Sequence, residues 1–213
     1  MRAISIPQAR GRAAGFTLIE ILIALAIFGI LLAVGIPMMG NWLTSTKAAG
    51  ATEFYAEGFR LARAQAVTHN AASRITLTEN STSGQYDWQV DICFPTPSEP
   101  CNDSDGTWST ATTVATGDPE GAAGFKSVVR SAATLPKTDV LQPTLRPAGA
   151  TTVYFTPVGW VDTSVPARLT LLELAPSFAH AGEFPSTAVA ITLAGMAAKC
   201  DPTRALPDSR ACP

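Results

Sequence analysis

The alternation of apolar and polar positions divides the chain into three stretches, each with its own period. From Phe16 to Met39 the side chains are apolar almost without interruption, and Glu20 is the only ionisable one. From Asn41 to Asn70 the chain lacks proline and is rich in Ala, Glu, Arg and Gln. There Tyr55, Phe59, Ala62 and Ala66 follow one another at helical spacing, one face of a helix. Phe54, Gly58 and Leu61 widen that stripe, while Glu53, Glu57, Arg60 and Arg63 fall largely on the opposite side. Asn70 is the expected terminator. Beyond it the period shortens to two: Trp88, Val90, Ile92 and Phe94 alternate with Asp87, Gln89, Asp91 and Cys93, which predicts a strand with one buried face.

Ser73 to Thr78 also reads as a strand. Further strands are expected at Phe125 to Arg130, Val140 to Leu145, Thr151 to Phe155, Ala167 to Leu174 and Ala188 to Leu193, each flanked by Gly, Pro, Asp or Ser. A long helix followed by short strands predicts an α+β fold, with the helix stripe laid on an antiparallel sheet. Pro95 to Gly124 is rich in Ser, Thr, Gly, Pro and Asp and reads as a long surface loop. No internal repeat is visible. The expected organisation is a leader at 1–15, an apolar helix at 16–40 and one head domain at 41–213, helical over 41–70 and β-rich over 71–213.

As a helix, Phe16 to Met39 would be about 36 Å long, enough to cross a hydrocarbon core of about 30 Å. Arg2, Arg10 and Arg12 precede it with no acid among the first fifteen residues, which predicts a cytoplasmic N-terminus and a head outside. A cleaved secretory signal also has a basic start, and Ala33-Val34-Gly35 imitates a cleavage site. The apolar run is too long for that reading. A lone carboxylate in the first turn of such a segment is costly unless a partner compensates it, and neither a signal peptide nor a plain anchor explains Glu20.

Gly15-Phe16-Thr17-Leu18-Ile19-Glu20, behind a short basic leader, resembles the signal of type IV pilins and type II secretion pseudopilins. The resemblance implies that prepilin peptidase cuts between Gly15 and Phe16 and that the new amine of Phe16 is methylated. It also implies that Glu20 pairs with the terminal amine of a neighbouring subunit during filament assembly. Gly29 and Pro37 stand at the family's glycine and proline offsets, and Pro37 removes a backbone donor, so a bend or loosening is expected there. A second stretch, Phe59 to Asn70 followed by Ser73 to Thr78, resembles the helix end and first strand of the GspH/FimT branch of minor pilins and pseudopilins. Phe155-Thr156-Pro157-Val158-Gly159 resembles a turn of that branch.

The four cysteines, Cys93, Cys101, Cys200 and Cys212, lie on the expected outer side, where disulfides persist. Three pairings are open, with local closure favouring Cys93 with Cys101 and Cys200 with Cys212. A pinned tail also resembles the C-terminal loop of many pilins. There is no Cys-x-x-Cys pair, and the two histidines, His69 and His180, neighbour no metal, nucleophile-elbow or phosphate-loop motif. No catalytic residue, metal or cofactor is expected.

Some members of this branch bind DNA through a C-terminal Gly-Arg-x-Arg motif. The corresponding stretch here, Gly195-Met196-Ala197-Ala198, is apolar at both arginine positions. Subtracting Arg2, Arg10 and Arg12 from 15 Lys and Arg leaves 12 against 17 Asp and Glu, a formal −5. Phosphate contacts supply most non-specific DNA affinity, so Lys199, Arg204 and Arg210 near the tail are a weak basis for a DNA site. The resemblance implies instead an inner-membrane subunit with a periplasmic head that later enters a pilus or pseudopilus. The partners it implies are prepilin peptidase, other minor and major pilins, and the inner-membrane assembly platform. The reading it supports is a minor pilin that primes a type IV pilus near its tip. The alternatives are a type II secretion pseudopilin and a DNA-uptake pilin.

Overall fold

A single helix, α1 (Leu18–His69), carries both the apolar run and the amphipathic stripe. It belongs to a computed structural model that describes residues 15–213 other than 98, 103 and 105. Leader residues 1–14, including Arg2, Arg10 and Arg12, and the side chains of Pro37, Met38 and Asn41 lie outside the described residues. The chain divides into a unit ending at Gly40 and a unit Asn41–Pro213.

The helix passes through Gly29 and Pro37 without interruption. One missing donor at Pro37 removes one hydrogen bond from a long ladder, which does not end the helix in a lone chain. It ends where Asn70 takes the left-handed conformation, φ 46°, which Asn tolerates better than most residues. The amide of Ala71 then donates to Ala66 O at 3.1 Å and that of Asn70 to Val67 O at 3.3 Å. These two bonds form a Schellman cap that satisfies the last carbonyls.

Among the described residues of the second unit, eight strands form two four-stranded antiparallel sheets. The first has the order β3 (Val128–Arg130), β2 (Tyr86–Cys93), β1 (Ala72–Glu79), β5 (Thr152–Phe155). The second has the order β4 (Leu141–Arg146), β6 (Leu171–Pro176), β7 (Thr187–Ile191), β8 (Ala197–Cys200). The hairpin β1–β2 pairs Ala72 with Cys93 through Glu79 with Tyr86. Residues 41–69 of α1 pack on both sheets. An added Cβ at Gly58 would stand 2.8 Å from Ile75 Cδ1 and 2.9 Å from Trp88 Cδ2, so glycine there lets the helix seat against β1 and β2. On the second sheet, the hydroxyls of Thr52 and Thr187 are 2.6 Å apart.

Tyr55, Phe59, Trp88, Phe155, Leu172 and Leu174 are fully buried between these layers, each contributing about 1.5–3 kcal/mol relative to exposure. Polar groups in the core are paired, as burial requires. Trp88 Nε1 donates to Phe54 O at 3.0 Å, Ser73 Oγ to Ala62 O at 2.6 Å, and the Tyr86 amide to the Tyr55 hydroxyl at 2.9 Å. Among the described residues no buried side-chain polar atom lacks a partner. Burial pushes the Tyr55 phenol well above its ordinary value.

The α+β architecture agrees with the expected one, but two sheets share the helix where one was expected. Three details differ from the sequence pattern. The buried stripe extends back to Ala48, Ala51, Thr52 and Ala56, because the second sheet needs a helix face of its own. The expected strands at Phe125 and Ala167 start later, at Val128 and Leu171, and β8 is additional. Asp91 and Cys93, expected on a polar face, are buried, while Phe94 lies just beyond β2 and is only partly covered. The cause is the 95–124 segment, part of which folds back over the outer face of the first sheet. Arg74 Nε donates to Asp91 Oδ2 at 2.9 Å, and its guanidinium lies 4.3 Å from the Trp108 ring centroid. Trp108 in turn meets Tyr154 edge-on at 5.8 Å.

Candidate functional site

Gly15 and Phe16 lie immediately before α1, and Glu20 is in its first turn. Thr17 is the N-cap. Its hydroxyl accepts from the Glu20 amide at 3.3 Å, and the Glu20 carboxylate accepts from the Thr17 amide at 3.4 Å. This is a reciprocal capping box, which satisfies two of the orphan donors of a helix start and places the carboxylate at the favourable end of the helix dipole. Sequence reasoning passed over Thr17. The Thr-x-x-Glu spacing ahead of an apolar run was the signal that could have found it.

From that turn onward, Leu18–Ile36 has a mean hydropathy of 2.8 and none of it is buried. Phe16, Leu18, Ile19, Leu25 and Phe28 are all more than half exposed. A surface so uniformly apolar is stable only when lipid or another apolar helix covers it. By length and composition the segment is sufficient to cross a membrane.

The remaining expected residues lie in the second unit. Cys93 bonds Cys101, and Cys200 bonds Cys212. The first disulfide anchors the start of the segment that carries Trp108, and the second ties the tail back to β8. Lys199 forms an ion pair with Glu53 of α1, and that hydrogen bond, ahead of the nearby Arg60 charge, draws the Glu53 carboxyl below its ordinary range. Arg204 bonds Asp201 at 3.1 Å and Asp208 at 2.9 Å, and Arg210 bonds Asp208 at 3.4 Å. The Arg210 amide and then its side chain hold Asp208 down at about 2. Thr203 does the same for Asp201 to a lesser degree. All three candidate DNA-contacting cations are therefore engaged with carboxylates. His69 lies against Phe125 with the rings tilted and their centroids 5.3 Å apart, and His180 bonds Glu183 at 2.8 Å.

The turn after β5 matches its expected place. Thr156 and Trp160 close it, the Thr156 amide donating to Trp160 O at 2.8 Å, with Gly159 at φ 80°. It stands beside the β7–β8 turn, where Gly195 has φ 76°, and Arg63 of α1 reaches between them to donate Nε to Gly159 O at 3.1 Å. Arg63 was expected on the solvent side of the helix. Its contact with the turn is tertiary and leaves no trace in helix periodicity.

Two families match the chain. The prokaryotic N-terminal methylation motif covers residues 10–36, spanning Gly15 to Glu20 and the apolar turns that follow. Type II transport protein GspH covers residues 51–195, more than half of the chain and most of the helix-on-sheet unit. Comparison with curated proteins and with solved structures finds no match. The methylation motif implies processing by prepilin peptidase and assembly with other pilins or pseudopilins, and with the apolar helix it is consistent with membrane anchoring. The signal, the apolar helix and the GspH domain together place this chain in the GspH/FimT family of pilin-like proteins, a minor pilin or pseudopilin of the type IV pilus or type II secretion kind.

Proposed function

We propose that this subunit helps prime assembly of a type IV pilus near its tip, acting by packing and without catalysis of its own. The observation that carries the reading is a single carboxylate, Glu20, at the start of an uncovered apolar helix and directly after the Phe16 cleavage point. Once Gly15 is removed and Phe16 methylated, each subunit presents one cation and one anion within its first turn. A neighbour displaced along the helix axis satisfies both. Until then the protein is held in the inner membrane with its N-terminus in the cytoplasm and its head in the periplasm, the orientation favoured by the leader arginines.

The preference for a pilus rests on the disulfide-closed tail, Cys200 to Cys212. A type II secretion pseudopilin is the second reading, and the match of residues 51–195 to the type II transport protein GspH family supports it. A DNA-uptake role has less support, because Lys199, Arg204 and Arg210 already face Glu53, Asp201 and Asp208.

Deleting the gene separates the two machines. Loss of surface pili with normal protein secretion supports the pilus reading, and the reverse supports the pseudopilus. Mass spectrometry of the working protein is expected to find Phe16 as a methylated first residue. Recovery of fully active protein that retains its first fifteen residues would overturn both readings.

A further inference from the structure

The turn that joins β6 to β7 holds Phe178 at 99% exposure, the highest of any large apolar side chain among the described residues. Its backbone is tied down. The Ser177 amide donates to Val140 O at 2.9 Å, the His180 amide to Ser177 O at 3.0 Å and the Glu183 amide to His180 O at 3.1 Å, while Phe184 is buried in the core. His180 takes up the Glu183 carboxylate at 2.8 Å, and the adjoining segment carries Lys137 and Asp139, of opposite sign. A fixed, bare aromatic ring with little net charge around it suits an apolar partner better than an ionic one.

Two contacts place this turn along α1. The Thr52 and Thr187 hydroxyls are 2.6 Å apart at the start of β7, and beyond its far end a Cβ on Gly195 would stand 3.1 Å from Arg63 Cδ. β7 therefore advances along the helix from Thr52 towards Arg63, and antiparallel β6 runs back. After its last pair with β7, Leu174 with Thr187, β6 continues to Pro176 and the chain reaches Phe178. Phe178 thus stands up to roughly 13 Å behind the Thr52 level at about 3.3 Å per residue. Trp42 lies about 15 Å behind Thr52 in the same direction, at 1.5 Å per helical residue. Pro185 and Ser186 line a cleft with Thr46 and Ala49, at the same end of the second unit.

Trp42 is 68% exposed, with Leu43 beside it, and follows within a few residues the apolar segment that ends at Ile36. Tryptophan concentrates at the headgroup level of a bilayer, the layer that a chain enters on leaving the hydrocarbon core. We propose that Phe178 is a second interfacial anchor, inserted into the headgroup layer of the bilayer that this chain's own apolar segment crosses. Before assembly the head then rests on the lipid surface through Trp42 and Phe178, and two anchors fix its rotation about α1 where one would not. The inference rests on the membrane-spanning reading and goes beyond it, because a span by itself demands nothing of the β6–β7 turn.

All described cysteines are in disulfides, so one added cysteine gives one labelling site. Full-length Ala179→Cys, Leu22→Cys and Leu193→Cys chains, each carrying a fluorophore, are placed in phosphatidylethanolamine/phosphatidylglycerol nanodiscs with or without lipids that bear a nitroxide close to the headgroup. The labels at 22 and 179 are expected to be quenched by the nitroxide and the label at 193 to stay bright. Phe178→Ser in the Ala179→Cys chain should lower the ratio of docked to free heads about tenfold, the factor expected for burying one such side chain, and relieve most of the quenching. Phe178→Leu should retain it. Phe178 has no packing to lose, so neither change disturbs the core. A bright label at 179 beside a quenched one at 22 would overturn the proposal and leave Phe178 to a protein partner. Quenching at 193 equal to that at 179, or indifference to Phe178→Ser, would also overturn it. An unquenched label at 22 would instead sink the membrane-spanning reading, and this proposal with it.

Discussion

Arg63 donates Nε to the carbonyl of Gly159 at 3.1 Å, and its stem occupies the space left by two glycines. A Cβ at Gly159 would stand 2.7 Å from Val67 Cγ2 and 3.3 Å from Arg63 Cγ. A Cβ at Gly195 would run into the Gly159 carbonyl and come 3.1 Å from Arg63 Cδ. Both glycines have positive φ, a conformation that costs other residues free energy. The end of α1, the turn after β5 and the β7–β8 turn are therefore locked by one side chain and two missing ones. Gly195→Ala is expected to destabilise the protein by about 2 kcal/mol or more, from strain and overpacking together. Arg63→Met keeps most of the stem packing and should cost only about 1 kcal/mol for the lost hydrogen bond. Thermal unfolding of the purified chain orders the two, and the reverse order would refute the lock.

The capping box separates two roles of Glu20 that a simple deletion would merge. Glu20→Gln keeps an acceptor for the Thr17 amide and removes the charge, whereas Thr17→Val removes the hydroxyl that caps the Glu20 amide. Glu20→Gln should leave the first helical turn intact while sharply reducing filament number, counted by electron microscopy. Thr17→Val should cost about 1 kcal/mol of helix start, seen as faster amide exchange over the first turn. Normal filament number in Glu20→Gln would mean that the carboxylate serves the cap and not assembly.

The helix and the first sheet were legible because each has one buried face and one period. Tyr55, Phe59, Ala62 and Ala66 repeat at helical spacing, and Trp88, Val90 and Ile92 alternate along β2. The second sheet was half legible. Its helix contact uses Ala48, Ala51 and Thr52, small residues that carry little hydrophobic signal. β8 is Ala197-Ala198-Lys199-Cys200, held by pairing with β7 and by a disulfide, neither of which a four-residue pattern records. Asp91 broke the alternation because Arg74 and Trp108 come from elsewhere to cover it. At the N-terminus the motif from Gly15 to Glu20 was plain, and the Thr17 cap inside it was equally readable but unread. Contacts that join distant segments, such as Arg63 with Gly159, follow from the fold alone.

The tail carboxylates set a low-pH limit on local order. Asp208 is lowered from an ordinary 3.8 to about 2, first by the Arg210 amide, then by the side chains of Arg210 and Arg204. A depressed carboxylate stabilises the native tail above the ordinary value, and that contribution is lost as pH falls through the native one. Tail order should therefore hold at pH 5 and fade between about 4 and 2. Carbon-13 titration of the Asp208 carboxyl is expected to give a midpoint near 2, rising in Arg204→Gln/Arg210→Gln. A wild-type midpoint at the ordinary value would show that these exposed pairs do not persist in solution.

The two disulfides close loops of similar size, with sequence separations of 8 and 12, so chain entropy alone assigns each about 2.5–3 kcal/mol. Their surroundings distinguish them. The segment after Cys101 is also held by Trp108 against Arg74 and Tyr154, and by the Ser109 amide on Ile92 O at 2.9 Å. The tail after Cys200 relies on exposed ion pairs, which water and salt screen so that they hold little on their own, and on the Asp201 amide bonded to Arg210 O at 2.7 Å. Removing Cys93–Cys101 by paired serines should leave protection of Ser109 largely intact. Removing Cys200–Cys212 should release residues 202–213, accelerate exchange along β8 and open the chain to proteolysis near exposed Leu206, while Trp88 stays buried. Hydrogen exchange resolved by segment measures both variants together. A tail that stays protected without its disulfide would mean that the Arg204, Arg210 and Asp208 network holds it unaided.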